Sequence, residues 1–355
     1  MEGKLKSILR ENNVGAILIT NKYDITYVSG FTGYESYVLL TNIKNYIIVD
    51  KRYLEQAKKQ STDFAAVLYE DKDELTEIIY ELLKENGVLN IGINTHDTTY
   101  NIYKRLVKNL KEIEVVELEE PFKKYRAIKS ADEINKITKA AEIADKSYYR
   151  MLQMISEGMN EKDIEIELEY TIKREGGDGY AFKPIIGAGS KSSMPYSSAD
   201  KNIFLQKGDI LLMNYGVKWE SYTAAIARMV AIGNAKKEYK EIYQEVYNVY
   251  CLLLESIKTY MEYDELYNIF LTAITKSKYR EYFLKRIGHG RGLQTIEGNL
   301  ICYNAKKIFL PNEVFSIGVS IAVPGVGGAR LEDAVLIKED NIEILTNSVR
   351  NLLSV

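Results

Sequence analysis

GDILLMNYGVKWESYTAAIARMV, residues Gly208–Val230, carries two apolar runs, Ile210–Val217 and Tyr222–Val230, around the polar break Lys218–Ser221. Apolar and aromatic runs joined by a short polar segment read as a β-hairpin. With a turn centred on Trp219 and Glu220, Asn214 faces Ala225 across the ladder, Cβ atoms roughly 4.5–5.5 Å apart. Two further stretches lie downstream: Gly288–Gly298 (GHGRGLQTIEG) and Phe315–Asp333 (FSIGVSIAVPGVGGARLED). His289 sits between two glycines, where backbone can approach closely. Arg330 and Glu332 are two apart in an expected strand, Ala329–Lys338, and therefore share a face.

Toward the N-terminus the pattern changes to short apolar runs alternating with amphipathic ones. Ala16–Thr20, Tyr37–Thr41, Tyr46–Asp50, Phe64–Leu68 and Val88–Asn94 read as strands. Leu75–Lys84 has apolar residues at helical spacing. This alternation predicts an α/β layer with a mixed or parallel sheet. A boundary is expected near Tyr125, giving domains 1–125 and 126–355. Ser130-Ala-Asp-Glu133 then forms a capping box at a helix start, with the helix running through Ile134–Tyr149. A long polar helix within Ser156–Phe182 and helices at Lys236–Tyr263 and Tyr263–Thr275 follow.

The three C-terminal stretches resemble the motifs D-x-G, S-D-x-T-R, G-H-G-I-G, E-P-G and R-x-E-D of the creatinase/aminopeptidase P/prolidase superfamily, the M24 peptidase-like fold. The segment Ser29–Gly33 (SGFTG) and the stretch Arg126–Lys146 also look similar to that superfamily's N-terminal turn and interdomain helix. The resemblance covers essentially the whole chain. It implies α/β plus α+β architecture, with a creatinase-like N-terminal α/β domain followed by a pita-bread domain. In hydrolytic members five side chains hold two metal ions. Here Asn214, Ala225 and Gly318 stand where three of the five are expected, and only His289 and Glu332 remain. A catalytic divalent ion needs at least three protein ligands, and a two-metal site needs bridging carboxylates. No metal or cofactor is therefore expected.

Creatinase, a metal-free member, also has Asn and Ala at two of these places, and Ser221-Tyr222-Thr223-Ala224 looks similar to it. Its proton-shuttling histidine corresponds to Tyr196, after Pro195, and one of its glutamates to Ala227. Two readings follow from the resemblance. One is a pseudoenzyme, an M24 Xaa-Pro peptidase/creatinase homologue that binds a small molecule or peptide in the C-terminal cleft. The other is a metal-independent hydrolase of C–N bonds with His289 and Glu332 as catalytic groups. Residual Xaa-Pro peptidase activity is the least supported. Arg330, Arg291, Tyr196, Tyr222, Asn214 and Glu297 are the candidate ligand contacts, with Tyr215 a further possible wall. Arg228 is expected to be structural and His96 to lie on a surface loop. The loss of three carboxylates with arginines retained favours a carboxylate or phosphate ligand.

Across 355 residues the chain is 46% hydrophobic and 27% charged, the composition of an ordinary globular protein. A net charge of −3 gives no general attraction to nucleic acid or an anionic membrane. No signal-like N-terminal segment and no long apolar run is present, so a cytoplasmic location is expected. Cys251 and Cys302 match no metal or redox spacing and read as buried free thiols. The family resemblance implies a homodimer.

Overall fold

The computed structural model describes residues 2–71 and 74–355, which divide into two compact units, Met1–Arg126 and Ala127–Val355. In the first, the elements run α1 (Glu2–Glu11), β1 (Ala16–Ile19), α2 (Lys22–Ser29), β2 (Ser36–Thr41), β3 (Tyr46–Asp50), α3 (Leu54–Gln60), β4 (Ala65–Tyr69), α4 (Leu75–Glu85), β5 (Asn90–Asn94), α5 (Tyr100–Asn109) and β6 (Glu114–Leu118). Short α6 (Lys123–Ala127) follows. The strands form one mixed sheet ordered β4-β3-β2-β1-β5-β6. β1–β2 and β2–β3 are antiparallel, while β1–β5, β3–β4 and β5–β6 are parallel, as the βα alternation predicts. One face packs Leu18, Leu39 and Ile93 against Ile79 and Leu83 of α4 and Leu106 of α5. Asn21 caps α2 by accepting from Tyr23 N, and Gly30 ends it at φ 73°, a left-handed position that favours glycine.

The second unit contains α7 (Ala131–Met154), α8 (Glu161–Arg174), β7 (Gly179–Ala188), β8 (Ile210–Trp219), β9 (Tyr222–Ala231), α9 (Lys237–Ser256), α10 (Tyr263–Ile274), β10 (Gly288–Gly290), β11 (Leu300–Ile301), β12 (Val314–Val323), β13 (Gly327–Ile337), β14 (Ile342–Ile344) and β15 (Leu353–Ser354). α7 begins with the expected capping box: Ser130 accepts from Glu133 N and the Glu133 carboxylate accepts from Ser130 N. The nine strands form one sheet on the path β11-β10-β12-β13-β9-β8-β7, with β14 beside β13 and β15 beside β9. Tyr250, Leu253, Leu266 and Phe270 of α9 and α10 close a continuous apolar core with Leu212, Met229, Val319 and Leu331 of the sheet.

The hairpin differs from the sequence expectation by one residue at its turn. Asn214 pairs with Ala227, and Ala225 pairs with Gly216. Glu220 and Ser221, at φ 44° and 72°, form the two-residue loop. Two consecutive left-handed residues match the twist of the strands they join. Lys218–Ser221 carries no Asn-Gly or Gly signal, so its centre could not be located from residue types. Ala225 is accordingly a diagonal neighbour of Asn214 on the same face.

The cysteines also depart from expectation: Cys251 is partly covered, while Cys302 is exposed. His96 lies exposed in a turn. Among the described residues no helix is long and apolar enough to cross a membrane.

Candidate functional site

A single cross-strand row organises the second unit: Ile185, Asn214, Ala227, Glu332 and Gly318 on β7, β8, β9, β13 and β12. Directly opposed residues of antiparallel strands point to one side. Beside this row, His289 on β10 pairs with Ser316 on β12. A cavity of about 310 Å³ opens over it. Asn214, His289, Arg291, Arg330 and Glu332 form its polar lining, with Lys183, Arg286, Ser197, Ser198 and Thr295; Phe182, Pro184, Ile185, Tyr196 and Ile296 supply its apolar walls.

Glu332 is buried between two guanidinium groups. Arg330 Nε donates to its Oε2 at 3.2 Å, with Nη2 on the same oxygen, and Arg291 Nη2 lies 3.5 Å from Oε1. Arg291 is itself buried and fixed by donating from Nε to Ser316 Oγ (2.7 Å) and from Nη1 to Thr223 Oγ1 (3.4 Å). Burial pushes the Glu332 carboxyl upward, but Arg330 and Arg291 outweigh it and hold the group at about 2. Burial pushes Arg291 down to about 10 against the pull of Glu332, so it stays charged at neutral pH. At His289, burial and then Arg291 lower the imidazole to about 4, so the ring is neutral. Its Nδ1 lies 3.1 Å from the Gly290 carbonyl oxygen, which only accepts. Nδ1 therefore carries the proton, and Nε2 keeps its lone pair.

The glycines around His289 are required by close packing. A Cβ at Gly290 would stand 2.3 Å from the Glu297 carbonyl oxygen, and one at Gly288 would stand 2.8 Å from that of Ser316. Glu297 does not line the cavity. Its carboxylate accepts from Gln294 N (3.2 Å) and from buried Lys129 Nζ (3.2 Å), pinning the loop that follows Arg291. Tyr222 is also absent from the cavity wall, because its hydroxyl donates to Glu133 Oε1 on α7. Tyr215, a further expected wall residue, donates to the Ala144 carbonyl instead. Tyr196 stands at the rim, exposed, with Arg286 Nη2 donating to its hydroxyl at 3.3 Å. Arg228 is buried away from the cavity, bonded to Asp333 and to the Ala227, Glu332 and Ser348 carbonyls. The structure thus gathers His289, Glu332, Arg330, Arg291, Asn214 and Tyr196, and separates Tyr222 and Glu297 from them. Lys183 and Arg286 were not singled out in the sequence. The only signal for Arg286 was a basic pair, Lys285–Arg286, just upstream of Gly288–Gly290.

The donor set does not fit a pair of divalent ions. His289 offers one nitrogen, Asn214 an uncharged oxygen, and both carboxylate oxygens of Glu332 face guanidinium groups. Among the described residues no three His, Cys, Asp or Glu side chains come together as a metal site. Two fixed cations beside the remaining carboxylate also oppose a third positive charge. The His289 ring is hydrogen-bonded through Nδ1 to the Gly290 carbonyl rather than to Glu332.

Comparison with known proteins supplies the wider frame. Residues 135–339 match the model of metallopeptidase family M24, and residues 3–128 match the creatinase/prolidase N-terminal domain. The Xaa-Pro dipeptidase of Pyrococcus furiosus is 31% identical, covering 99% of this chain and 98% of its own length. The uncharacterized peptidase YqhT of Bacillus subtilis is 29% identical over 99% of this chain and 98% of its own. Among solved structures, an Xaa-Pro dipeptidase from Bacillus anthracis superposes with a TM-score of 0.94 at 27% identity, covering 100% and 99% of the two chains. The prolidase from Pyrococcus horikoshii OT3 gives 0.91 at 29% identity, covering 99% of each.

Proposed function

We propose that this chain, which belongs to metallopeptidase family M24, is a ligand-binding pseudoenzyme that holds an anionic small molecule or peptide end in the cavity over the Asn214–Glu332 row. The observation that carries this reading is the clamping of Glu332 by Arg330 and Arg291. A carboxylate held at about 2 is a weak base and is never an acid near neutral pH. Four cationic side chains line the cavity, Lys183, Arg286, Arg291 and Arg330, against one carboxylate. That excess, in a largely apolar pocket, suits a carboxylate or phosphate held by charge-assisted hydrogen bonds. Metal-independent hydrolysis would need Glu332 free to pass protons with His289, and the clamp argues against it.

The test pairs turnover with binding. Xaa-Pro dipeptides and guanidino acids should give no product, while calorimetric titration with a carboxylate ligand should show binding that Arg286→Ala weakens about tenfold, the scale of one charge-assisted contact. Steady product release by the wild type, lost in His289→Ala, would overturn the proposal. A homodimer, which the family resemblance motivates, and a cytoplasmic location, expected from the sequence pattern, belong to the same reading. Sedimentation at the mass of a single chain would remove the dimer.

A further inference from the structure

Two buried side-chain atoms of the cavity lining are left without a partner, the Ser197 hydroxyl at its edge and the Asn214 amide oxygen in the cross-strand row. Asn214 is 2% exposed and lines the cavity, and its Oδ1 has no hydrogen-bond partner within the protein. A buried amide oxygen without a donor is costly, and its terminal torsion is soft, so it can turn toward whatever occupies the cavity. His289 Nε2 adds a second acceptor to the lining, because Nδ1 is committed to the Gly290 carbonyl. The site therefore offers acceptors at Asn214 and His289, with guanidinium groups at Arg291, Arg330 and Arg286 around them.

A ligand must present hydrogen-bond donors to the acceptors and negative charge to the guanidinium groups. The donor cannot be an ammonium or guanidinium without adding a like charge beside fixed arginines. It must be an uncharged N–H or O–H. A secondary amide meets this requirement once the Asn214 side chain turns its oxygen toward the cavity: the amide N–H then donates to Oδ1. An amide formed by proline has no N–H and leaves Oδ1 unpaired.

Resting on the anion-binding reading above, we propose that the ligand is a secondary-amide carboxylate: an N-acylated amino acid, or the free C-terminal residue of a peptide ending in a residue other than proline. The apolar walls at Phe182, Ile185 and Ile296 accept its side chain. This departs from the Xaa-Pro ligands named for the relatives.

The experiment compares N-acetyl-L-leucine with its ketomethylene isostere, 2-isobutyl-4-oxopentanoate, which replaces only the N–H by CH₂. Calorimetry on the full-length wild type should favour the amide by about tenfold. N-acetyl-L-proline and free L-leucine should each bind about tenfold or more weakly than N-acetyl-L-leucine. Asn214→Leu should bring the amide and its isostere to within about twofold of each other. Equal wild-type affinity for amide and isostere overturns this inference and leaves anion binding intact. Failure of every carboxylate to bind overturns both. The wild-type comparison decides the matter even if Asn214→Leu does not fold. The source is read from N-acetyl-Ala-Ala-Leu: tighter binding than N-acetyl-L-leucine assigns a peptide end, and equal binding assigns a free N-acyl amino acid.

Discussion

Asn214 and Glu332 stand in one cross-strand row with only Ala227 between them. A row of that kind could gather carboxylates about a cation. In this chain it holds a neutral amide, a methyl group and a carboxylate already neutralised by arginine. Protein purified without chelator should carry well under one equivalent of Mn, Co, Zn or Fe, and EDTA should leave its melting temperature unchanged. Elemental analysis giving two equivalents, with peptidase activity abolished by EDTA, would reverse this.

The clamp around Glu332 should be asymmetric. Glu332→Gln strands buried Arg291, and breaking a buried pair by removing one partner costs on the order of 3–5 kcal/mol. Arg330 is more exposed, and Arg330→Met leaves Glu332 facing Arg291, so its cost should be clearly smaller. Urea unfolding can be followed through Trp219, the single tryptophan, which lies in the C-terminal unit. Equal losses in the two variants would count against the clamp.

Gly318 should resist enlargement. A Cβ there would stand 2.9 Å from the Leu331 carbonyl oxygen and 3.1 Å from Glu332 Cβ. Gly318→Ala should cost about 1–3 kcal/mol, the usual range for overpacking, and Gly318→Glu at least as much. An unchanged unfolding midpoint for Gly318→Ala would mean that β12 and β13 are not registered as described.

Much of this was legible in the chain because strong local signals agreed with the fold. The capping box at Ser130 and Glu133 and the strand Tyr46–Asp50 stand where residue types place them. Arg330 and Glu332 share a face because strand alternation requires it. Register was less legible: a turn at Glu220–Ser221 uses two left-handed residues that are not glycine, so pairing shifted Asn214 onto Ala227. Tyrosine roles were hidden for a different reason. Tyr215 and Tyr222 satisfy their hydroxyls on Ala144 and Glu133, partners roughly 70 to 90 positions away in sequence. Burial of Arg291 was unreadable because a lone arginine after G-H-G carries no sign of Ser316 and Thr223, which fix it.

The last prediction concerns pH. His289 in the folded protein titrates at about 4, below its ordinary 6.5, chiefly through burial and secondly through Arg291. Between pH 6.5 and 4 the unfolded chain therefore takes up a proton that the folded chain refuses. Stability falls as pH drops through that window, by about 3 kcal/mol at most, and the contribution levels off below pH 4. Glu332 acts in a lower window. Its folded value of about 2 lies below the ordinary 4.5, so its contribution is full above pH 4.5 and is lost as pH falls toward 2. Unfolding free energies of wild type and His289→Gln, measured from pH 7.5 to 4, separate the two. The difference between them should shift in favour of the variant as pH falls from 6.5 to 4. A difference that stays constant over that range would show that the imidazole is reached by water or paired in a way that leaves it unperturbed.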